Sequence, residues 1–321
     1  MTNRRSFLKN ASLVAAAGVC ATGSNSLSAA PSSTSRNKSF GLQTYSLGGE
    51  LGADVPGGLK RVAAMGYSYI ELAGYNRQGR IGNVPMAEFK KFADDAGLEI
   101  RSTHTNPQPG INGPYTRENF DQIMEFWKIA CDHHAAIGCR YIIQPGDPTI
   151  NNTEDLAMTC EVFNEAGRIA NAAGLVFGFH NHANEFRRVV PGGTERLGFG
   201  QTGATRGQQP PEGIKMVYDG MIEGTDPSLV RFELDVYWCV YGLQCPVEYM
   251  RRYPNRIRLL HIKDRQILGE SGWMNFQKIF ETGYSNGIDN YIVELEGYRV
   301  GTQFEGVKGC ADYLLNARFV R

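Results

Sequence analysis

The sequence carries no net charge. Its 321 residues include 33 Lys and Arg against 33 Asp and Glu, and no long basic run occurs. Binding to nucleic acid or to an anionic membrane usually requires a basic surface, so the composition gives no reason to expect either partner. Because 42% of the residues are hydrophobic, the chain is large enough to build a sizeable core.

Cysteines are few, and their spacing forms no motif. None of the seven cysteines belongs to a CxxC pair, the spacing typical of zinc and redox motifs. Most lie within apolar patterns, where cysteine packs as a small hydrophobic residue. We expect mainly free buried thiols, with Cys239 and Cys245 as the favoured pair if a disulfide forms.

A hydrophobic run long enough to span a membrane is also missing. The apolar stretch from Ala11 to Ala21 is too short. It follows Arg4-Arg5 and leads into small residues ending at Ala30, a pattern that resembles a bacterial twin-arginine export signal. An amphipathic arm is the alternative.

This reading predicts an export signal over residues 1–30, a linker over 31–38 and a folded domain over 39–321. Cys20 follows Val19, which is a poor lipobox residue. We therefore favour a periplasmic protein, free of the membrane after signal cleavage, over a lipoprotein.

From Ser39 onward, strand and helix patterns alternate eight times and no other pattern occurs. Alternation predicts a parallel sheet, and eight units predict a closed (β/α)8 TIM barrel in a single domain. The first strand is predicted over Ser39–Leu47 and the sixth over Val230–Trp238. A doubly wound sheet is the alternative, but the first strand lacks the GxGxxG turn of dinucleotide-binding folds.

The sequence also predicts a long loop and the exposure of two helical histidines. The Gly- and Pro-rich segment between Val189 and Ile214 predicts a long loop after the fifth strand, on the face that carries the active site in a barrel. His133 and His134 lie on the third predicted helix, where we expect both on the surface.

Polar residues end most of the predicted strands. In a TIM barrel, catalytic side chains project from these carboxyl ends, and isolated buried polar groups cost several kcal/mol. Their convergence therefore requires a shared partner. The residues, from strand two to strand eight, are Glu71, His104, Gln144, His180, His182, Asp235, His261, Lys263, Glu294 and Glu296.

One divalent cation would satisfy such a group. Mixed carboxylates and imidazoles suit Mn, Zn, Co or Fe, and Mg is also considered. Because strand side chains repeat every two residues, the earlier member of each same-face pair lies deeper. We therefore predict a metal held by Asp235, His261, Glu294 and His180. His182, Lys263 and Glu296 are expected nearer the mouth.

The runs "ELDVYW", "LLHIKD" and "YIVELE" resemble the sugar phosphate isomerase/epimerase family, the xylose isomerase-like TIM barrels. The resemblance covers roughly Phe40 to the C-terminus. It implies a divalent metal held by Glu, Asp, His and Glu from strands five to eight, which carries over to Asp235, His261 and Glu294. The strand-five Glu falls on His180, a departure that puts the symmetric two-carboxylate mechanism in doubt. The "HNHANEF" variant resembles an exported subgroup.

The resemblance implies a metal-dependent isomerase or epimerase that removes a proton next to a carbonyl. We expect catalytic roles for Glu294, His182, Lys263 and Glu185, the last replacing the missing carboxylate. Substrate contacts are expected from Tyr45, Glu71, His104, Gln144, Trp238 and Glu296.

The partner would be a small sugar or keto-glycoside, with homo-oligomerisation possible. Through the same enediolate, a keto-glycoside lyase or dehydratase is an alternative. A non-catalytic sugar-binding barrel is another, although three of four ligand positions match. A nuclease related to endonuclease IV would need more metal ligands and a basic face, and the sequence shows neither.

The twin-arginine pattern generates a test of export. Replacing Arg4 and Arg5 together by Lys should leave unprocessed precursor in the cytoplasm, because twin-arginine signals are recognised through this pair. Fractionation and immunoblotting of an expressing bacterium would measure it. Normal periplasmic delivery of the double variant would contradict the prediction.

Overall fold

A computed structural model describes residues 38–107, 113–146, 148–204, 209–297 and 301–321. Within them, eight parallel strands close into a barrel in which neighbours in sequence are neighbours in space. The TIM barrel predicted from the sequence is confirmed. The predicted export signal and Cys20 lie outside the described residues. The strands are β1 Gly41–Gln43, β2 Tyr69–Leu72, β3 Glu99–His104, β4 Tyr141–Pro145, β5 Val176–His180, β6 Val230–Asp235, β7 Ile257–Ile262 and β8 Asn290–Val293.

A helix follows each strand, as predicted. Polar caps fix several starts: the Asn152 side chain accepts a hydrogen bond from the Asp155 N–H, and Thr302 forms a capping box with Glu305. Among the described residues, no helix is both long and apolar enough to cross a membrane. The helices are α1 Val55–Ala64, α2 Met86–Ala96, α3 Arg117–Ala136, α4 Thr153–Ala172, α5 Val217–Gly224, α6 Pro246–Arg252, α7 Phe276–Ser285 and α8 Gln303–Asn316.

Two predicted strands pass into short helical segments before their predicted ends. β1 stops at Gln43 and passes into a 3-10 turn over Thr44–Leu47, followed by a short helix over Gly48–Ala53. β6 stops at Asp235, and a short helix over Val236–Tyr241 follows. In both places a side chain caps the new helical turn, which an apolar sequence pattern does not reveal.

Two additions lie at the carboxyl ends of the strands. A three-stranded antiparallel sheet after β2 is formed by Tyr75–Asn76, Arg80–Ile81 and Val84–Pro85. The predicted loop after β5 is present and is flanked by two short antiparallel strands, Arg188–Val189 and Lys215–Met216. The sequence pattern predicts the fifth helix from Lys215, and the helix α5 that forms begins at Val217, because the second short strand takes up Lys215 and Met216.

The barrel interior has its own small core. Buried Tyr69, Tyr141, Ile143, Leu259 and Ile292 pack together, apart from the larger core between strands and helices. Three of them precede polar site residues by two positions, so they share a face with Glu71, His261 and Glu294. The interior is thus apolar lower down and polar at the carboxyl ends.

Two minor expectations are corrected. All six described cysteines are free, so the favoured Cys239–Cys245 pair does not form. His134 is buried rather than exposed, because its Nδ1 lies 2.7 Å from the Ala130 carbonyl and its Nε2 3.2 Å from the Thr103 hydroxyl. A helical histidine that can reach a strand hydroxyl becomes a satisfied core residue.

Gly41 tests the packing of this interior. A Cβ at Gly41 would lie 2.3 Å from two carbons of the Tyr69 ring, and the ring is held by a 2.9 Å hydrogen bond to the Tyr291 carbonyl. We expect Gly41→Ala to lower the free energy of unfolding by about 1–3 kcal/mol through overpacking, measured by denaturant titration. Gly49→Ala is the control, because a Cβ there meets nothing within 4 Å. Equal stabilities would contradict the packing argument.

Candidate metal centre

Four buried side chains from β5, β6, β7 and the end of β8 converge at the barrel mouth. His180, Asp235, His261 and Glu294 each offer one ligand atom, and these atoms lie within 4.8 Å of one another. Nε2 of His180 lies 3.5 Å from Oδ2 of Asp235, and Nδ1 of His261 lies 3.4 Å from Oε2 of Glu294. Ligands of one ion with bonds of about 2.1 Å lie at most about 4.2 Å apart. These two contacts fall within that limit.

The four residues predicted as metal ligands therefore come together. Within the described part of the chain, Nδ1 of His261, Oδ2 of Asp235 and both ring nitrogens of His180 are buried without a hydrogen-bond partner. Such atoms are costly unless something else satisfies them. A divalent cation fits this donor set of two imidazoles and two carboxylates.

Neighbouring groups orient two of these ligands. Oδ1 of Asp235 accepts the Trp238 backbone N–H at 2.7 Å, which leaves Oδ2 toward the cluster. Nε2 of His261 donates to Oε1 of Glu71 at 2.7 Å, which leaves Nδ1 as the metal-facing nitrogen. The Gln43 amide also donates to Glu71, at 2.8 Å. Outer hydrogen bonds of this kind fix the tautomer and orientation of a metal-bound histidine.

A second cluster lies beneath the first. It is formed by His104, His180, Glu233 and His261. Several of its groups contact one another, since Nε2 of His104 lies 2.9 Å from Glu233 and 3.0 Å from Glu71, although Oε1 of Glu233 has no partner among the described residues. We place the cation at the upper cluster, because Nε2 of His261 is engaged by Glu71 and only its Nδ1 is left for a metal. Sequence reasoning missed Glu233, although it precedes Asp235 by two residues and so shares its face.

Burial and charge set the protonation of the ligands. Burial lowers the pKa of His180 well below its usual range, so this imidazole is neutral, as metal ligation requires. Burial raises the pKa of Asp235 to about 7. Burial acts in the same direction on Glu294, but the positive charges of His261 and Lys263 outweigh it and hold the pKa of Glu294 low. Burial acts to lower the pKa of His261, but the charges of the surrounding carboxylates outweigh it and raise that pKa well above its usual range, so a bound cation would displace the Nδ1 proton.

An open pocket of about 330 Å³ lies above the cluster. Six of the predicted site residues line it: Tyr45, His104, His180, His182, Glu294 and Glu296. Tyr45 is 62% exposed at the rim. Tyr75 and Asn106 also line the pocket and were not anticipated, because both follow a strand instead of lying within its alternating pattern.

Four predicted residues lie beside or beneath this pocket. Glu71 is fully buried below it, and Gln144 is buried and accepts the Tyr115 hydroxyl at 3.0 Å. Lys263 is buried between Glu294 and Glu296, at 2.9 and 2.8 Å. Trp238 packs behind it, with Nζ of Lys263 5.0 Å from the indole ring. Glu71, Gln144 and Trp238 do not line the pocket, and their expected substrate contacts stay a prediction.

Glu185 lies behind His182. It is buried in a 3-10 turn, and its Oε2 accepts the His182 backbone N–H at 3.0 Å. Burial raises the pKa of Glu185 to about 7. Glu185 is not among the residues lining the pocket, so its position fits support of the His182 backbone better than the expected role of base.

The comparisons with known proteins agree with this architecture. Residues 59–309 match the family described as "Xylose isomerase-like TIM barrel". The chain belongs to this family. The resemblance seen in the strand motifs is thereby confirmed, and the assignment to an exported subgroup stays a prediction.

Two solved structures are similar to this chain over most of its length. Two crystal structures named sugar phosphate isomerase/epimerase, both from Parabacteroides distasonis, are 47% and 46% identical to this chain. The first covers 88% of this chain and all of its own, with a TM-score of 0.79. The second covers 91% and 98%, with a TM-score of 0.80. These relatives support the expected isomerase/epimerase class.

A more distant structure shares the fold. An L-ribulose 3-epimerase is 14% identical over 86% of this chain and 92% of its own, with a TM-score of 0.62. No functionally curated protein matches the chain.

The ligand cluster predicts about one divalent ion per chain. Asp235→Asn and His261→Gln should each lower occupancy at least about tenfold, because each removes or weakens one donor. Asn can still accept the Trp238 N–H, so we expect the barrel to remain folded. Elemental analysis after gel filtration, together with a thermal melt, measures both properties.

His133→Gln is the control, because His133 lies on α3 and is absent from both ligand clusters. Full occupancy in Asp235→Asn and His261→Gln would contradict the assignment. His180→Ala should also weaken binding, and full occupancy in that variant would exclude His180 as the fourth ligand.

Proposed function

We propose that this protein is a metal-dependent isomerase or epimerase of a sugar or keto-sugar, acting by proton abstraction next to a carbonyl. The observation that carries the proposal is the double position of Glu294. It belongs to the four-ligand cluster and also lines the open pocket. A group so placed can contact the reacting carbons and the cation together.

His180, Asp235, His261 and Glu294 would hold the cation. When bound, a divalent ion polarises a carbonyl or an adjacent hydroxyl and stabilises negative charge on oxygen. Because His180 replaces the family's strand-five carboxylate, the ligand set carries two carboxylates instead of three. A carboxylate base is therefore missing from the strand-five side.

We assign proton movement to Glu294 and His182, which both line the pocket. Glu294 is held ionised by its cationic neighbours, as a base must be. Burial lowers the pKa of His182 to about 4, so its imidazole is neutral near pH 7 and can accept a proton. Return of the abstracted proton to the neighbouring carbon by the group that removed it would give isomerisation. Delivery of a proton to the opposite face by the other group, after that group has taken a proton from solvent, would give epimerisation.

Lys263 would hold Glu294 and Glu296 in place. Its ammonium lies within 2.9 Å of both carboxylates, so it compensates their charge and keeps both side chains at the pocket edge. This assignment makes Lys263 a positioning residue instead of a direct oxyanion contact.

The pocket favours an uncharged substrate. Among the described residues that line it, none is Arg or Lys, the usual partners of a phosphate. An unphosphorylated sugar or a glycoside would also suit an exported enzyme, which follows from the predicted signal. Expulsion of a β-leaving group from the same enediolate would make the enzyme a lyase, and this is the second candidate.

Heavy-water exchange tests the reaction. Metal-loaded protein should incorporate deuterium next to the carbonyl of a ketose or 3-keto-glycoside, and the products separate epimerase from lyase. Glu294→Gln should slow exchange by roughly a hundredfold or more per bound metal, the range typical for loss of a general base. NMR and mass spectrometry of the products give both measurements.

Glu185→Gln is the matched control, since an amide oxygen can still accept the His182 N–H. We expect its exchange rate to stay within about threefold of wild type. A loss as large as that of Glu294→Gln would restore Glu185 as the base. Absence of exchange with every carbonyl sugar, in a metal-loaded protein that binds sugar, would instead favour a sugar-binding barrel.

A further inference from the structure

A second cavity of about 300 Å³ adjoins the pocket over the metal cluster. Its walls include two elements that the barrel itself does not require: the short helix Gly48–Ala53 after β1 and the small three-stranded sheet after β2. We call this cavity the side groove. The two cavities share three lining residues, Tyr45, Ala73 and Gly74, so they lie side by side at this wall.

The two cavities differ in chemistry. Imidazoles and carboxylates line the first, whereas the described lining of the side groove contains no Asp, Glu, Lys, Arg or His. Two of its lining residues have polar aliphatic side chains: Thr44 is already engaged, since Oγ1 accepts the Ala73 N–H at 2.9 Å, and Asn83 is exposed. The apolar side chains in the lining are Leu51, Val55, Ile81, Val84 and Phe89.

A ligand that fills both cavities must be polar at one end and apolar at the other. We propose that the side groove binds the apolar aglycone of a glycoside whose sugar ring occupies the pocket over the metal cluster. The proposal rests on the proposed function for the sugar end, and it names the substrate class as aryl or alkyl glycosides.

The size and the composition of the side groove favour binding of an apolar group over binding of a second sugar. An apolar cavity of about 150 Å³ accommodates benzene, so the side groove has room for a substituted ring. A second sugar would bury several hydroxyls against apolar walls, where each unpaired group is costly. The exposed Tyr45 ring at the junction can contact both halves of the ligand.

Gly52 offers a way to fill the groove without disturbing the fold. It lines the groove from the short helix, and a Cβ there would meet nothing within 4 Å. Gly49 lies on the same helix with equally open surroundings, but it lines neither cavity. Gly52→Leu and Gly49→Leu therefore form a matched pair.

The test uses unreactive glycosides, which have no free carbonyl. Methyl, hexyl and phenyl α- and β-glycosides of glucose and galactose are titrated into metal-loaded full-length protein by calorimetry. In at least one series, the phenyl or hexyl glycoside should bind at least about tenfold more tightly than the methyl glycoside. The phenyl and hexyl arms distinguish an aromatic from an alkyl aglycone.

Gly52→Leu should reduce this preference below about threefold and leave methyl glycoside affinity unchanged, whereas Gly49→Leu should keep the preference. Thermal melts check that both variants are folded. Equal affinities for all aglycones, no binding of any glycoside, or a preference that survives Gly52→Leu would overturn the proposal. So would cellobiose or lactose binding as tightly as the phenyl glycoside.

The outcomes separate this proposal from the proposed reaction. An aglycone preference without deuterium exchange on any carbonyl sugar would reject the reaction and retain the groove. Deuterium exchange without an aglycone preference would retain the reaction and reject the groove as an aglycone site.

Discussion

The hydrogen bond between Glu71 and His261 is the contact on which the rest of the candidate site depends. Glu71 accepts from Nε2 of His261 at 2.7 Å, and this single contact turns Nδ1 toward Asp235 and Glu294. It also joins the upper cluster to the lower one, because Glu71 contacts His104 as well. Without it, the His261 ring could present either nitrogen to the cation.

Burying these polar clusters carries a high free-energy cost in the protein without a bound cation. Buried carboxylates and imidazoles stack at the top of the barrel interior, and several of their atoms have no partner within the described residues. In the upper cluster, Oδ2 of Asp235 and Nδ1 of His261 are left without a partner. A cation would therefore add stability as well as reactivity, because it satisfies atoms that folding alone leaves unpaired.

The apolar lower interior makes this possible. Tyr69, Ile143 and Leu259 fill the barrel below the polar layer, and Gly41 leaves the space that the Tyr69 ring occupies. The short helix after β1 and the small three-stranded sheet after β2 then shape the entrance on one side. The barrel and its rim thus have separate tasks: the strands position the candidate ligands, and the rim shapes the entrance to them.

The sequence by itself determined the barrel and the convergence of the candidate metal ligands. Both follow from periodicity, since eight alternating patterns specify eight strand–helix units and two-residue spacing specifies which side chains share a face. His180, Asp235, His261 and Glu294 came together because parallel strands bring their carboxyl ends to one rim. Glu233 obeyed the same rule and could have been predicted.

Only the tertiary structure decided which polar residues reach the pocket. Glu71, Gln144 and Lys263 have partners on other strands or loops, and Glu185 has its partner across a local turn. The side groove joins segments that lie apart in the chain and leaves no periodic signal. Burial and hydrogen bonding between distant segments depend on how the barrel closes, and a linear pattern records only the face on which a side chain lies.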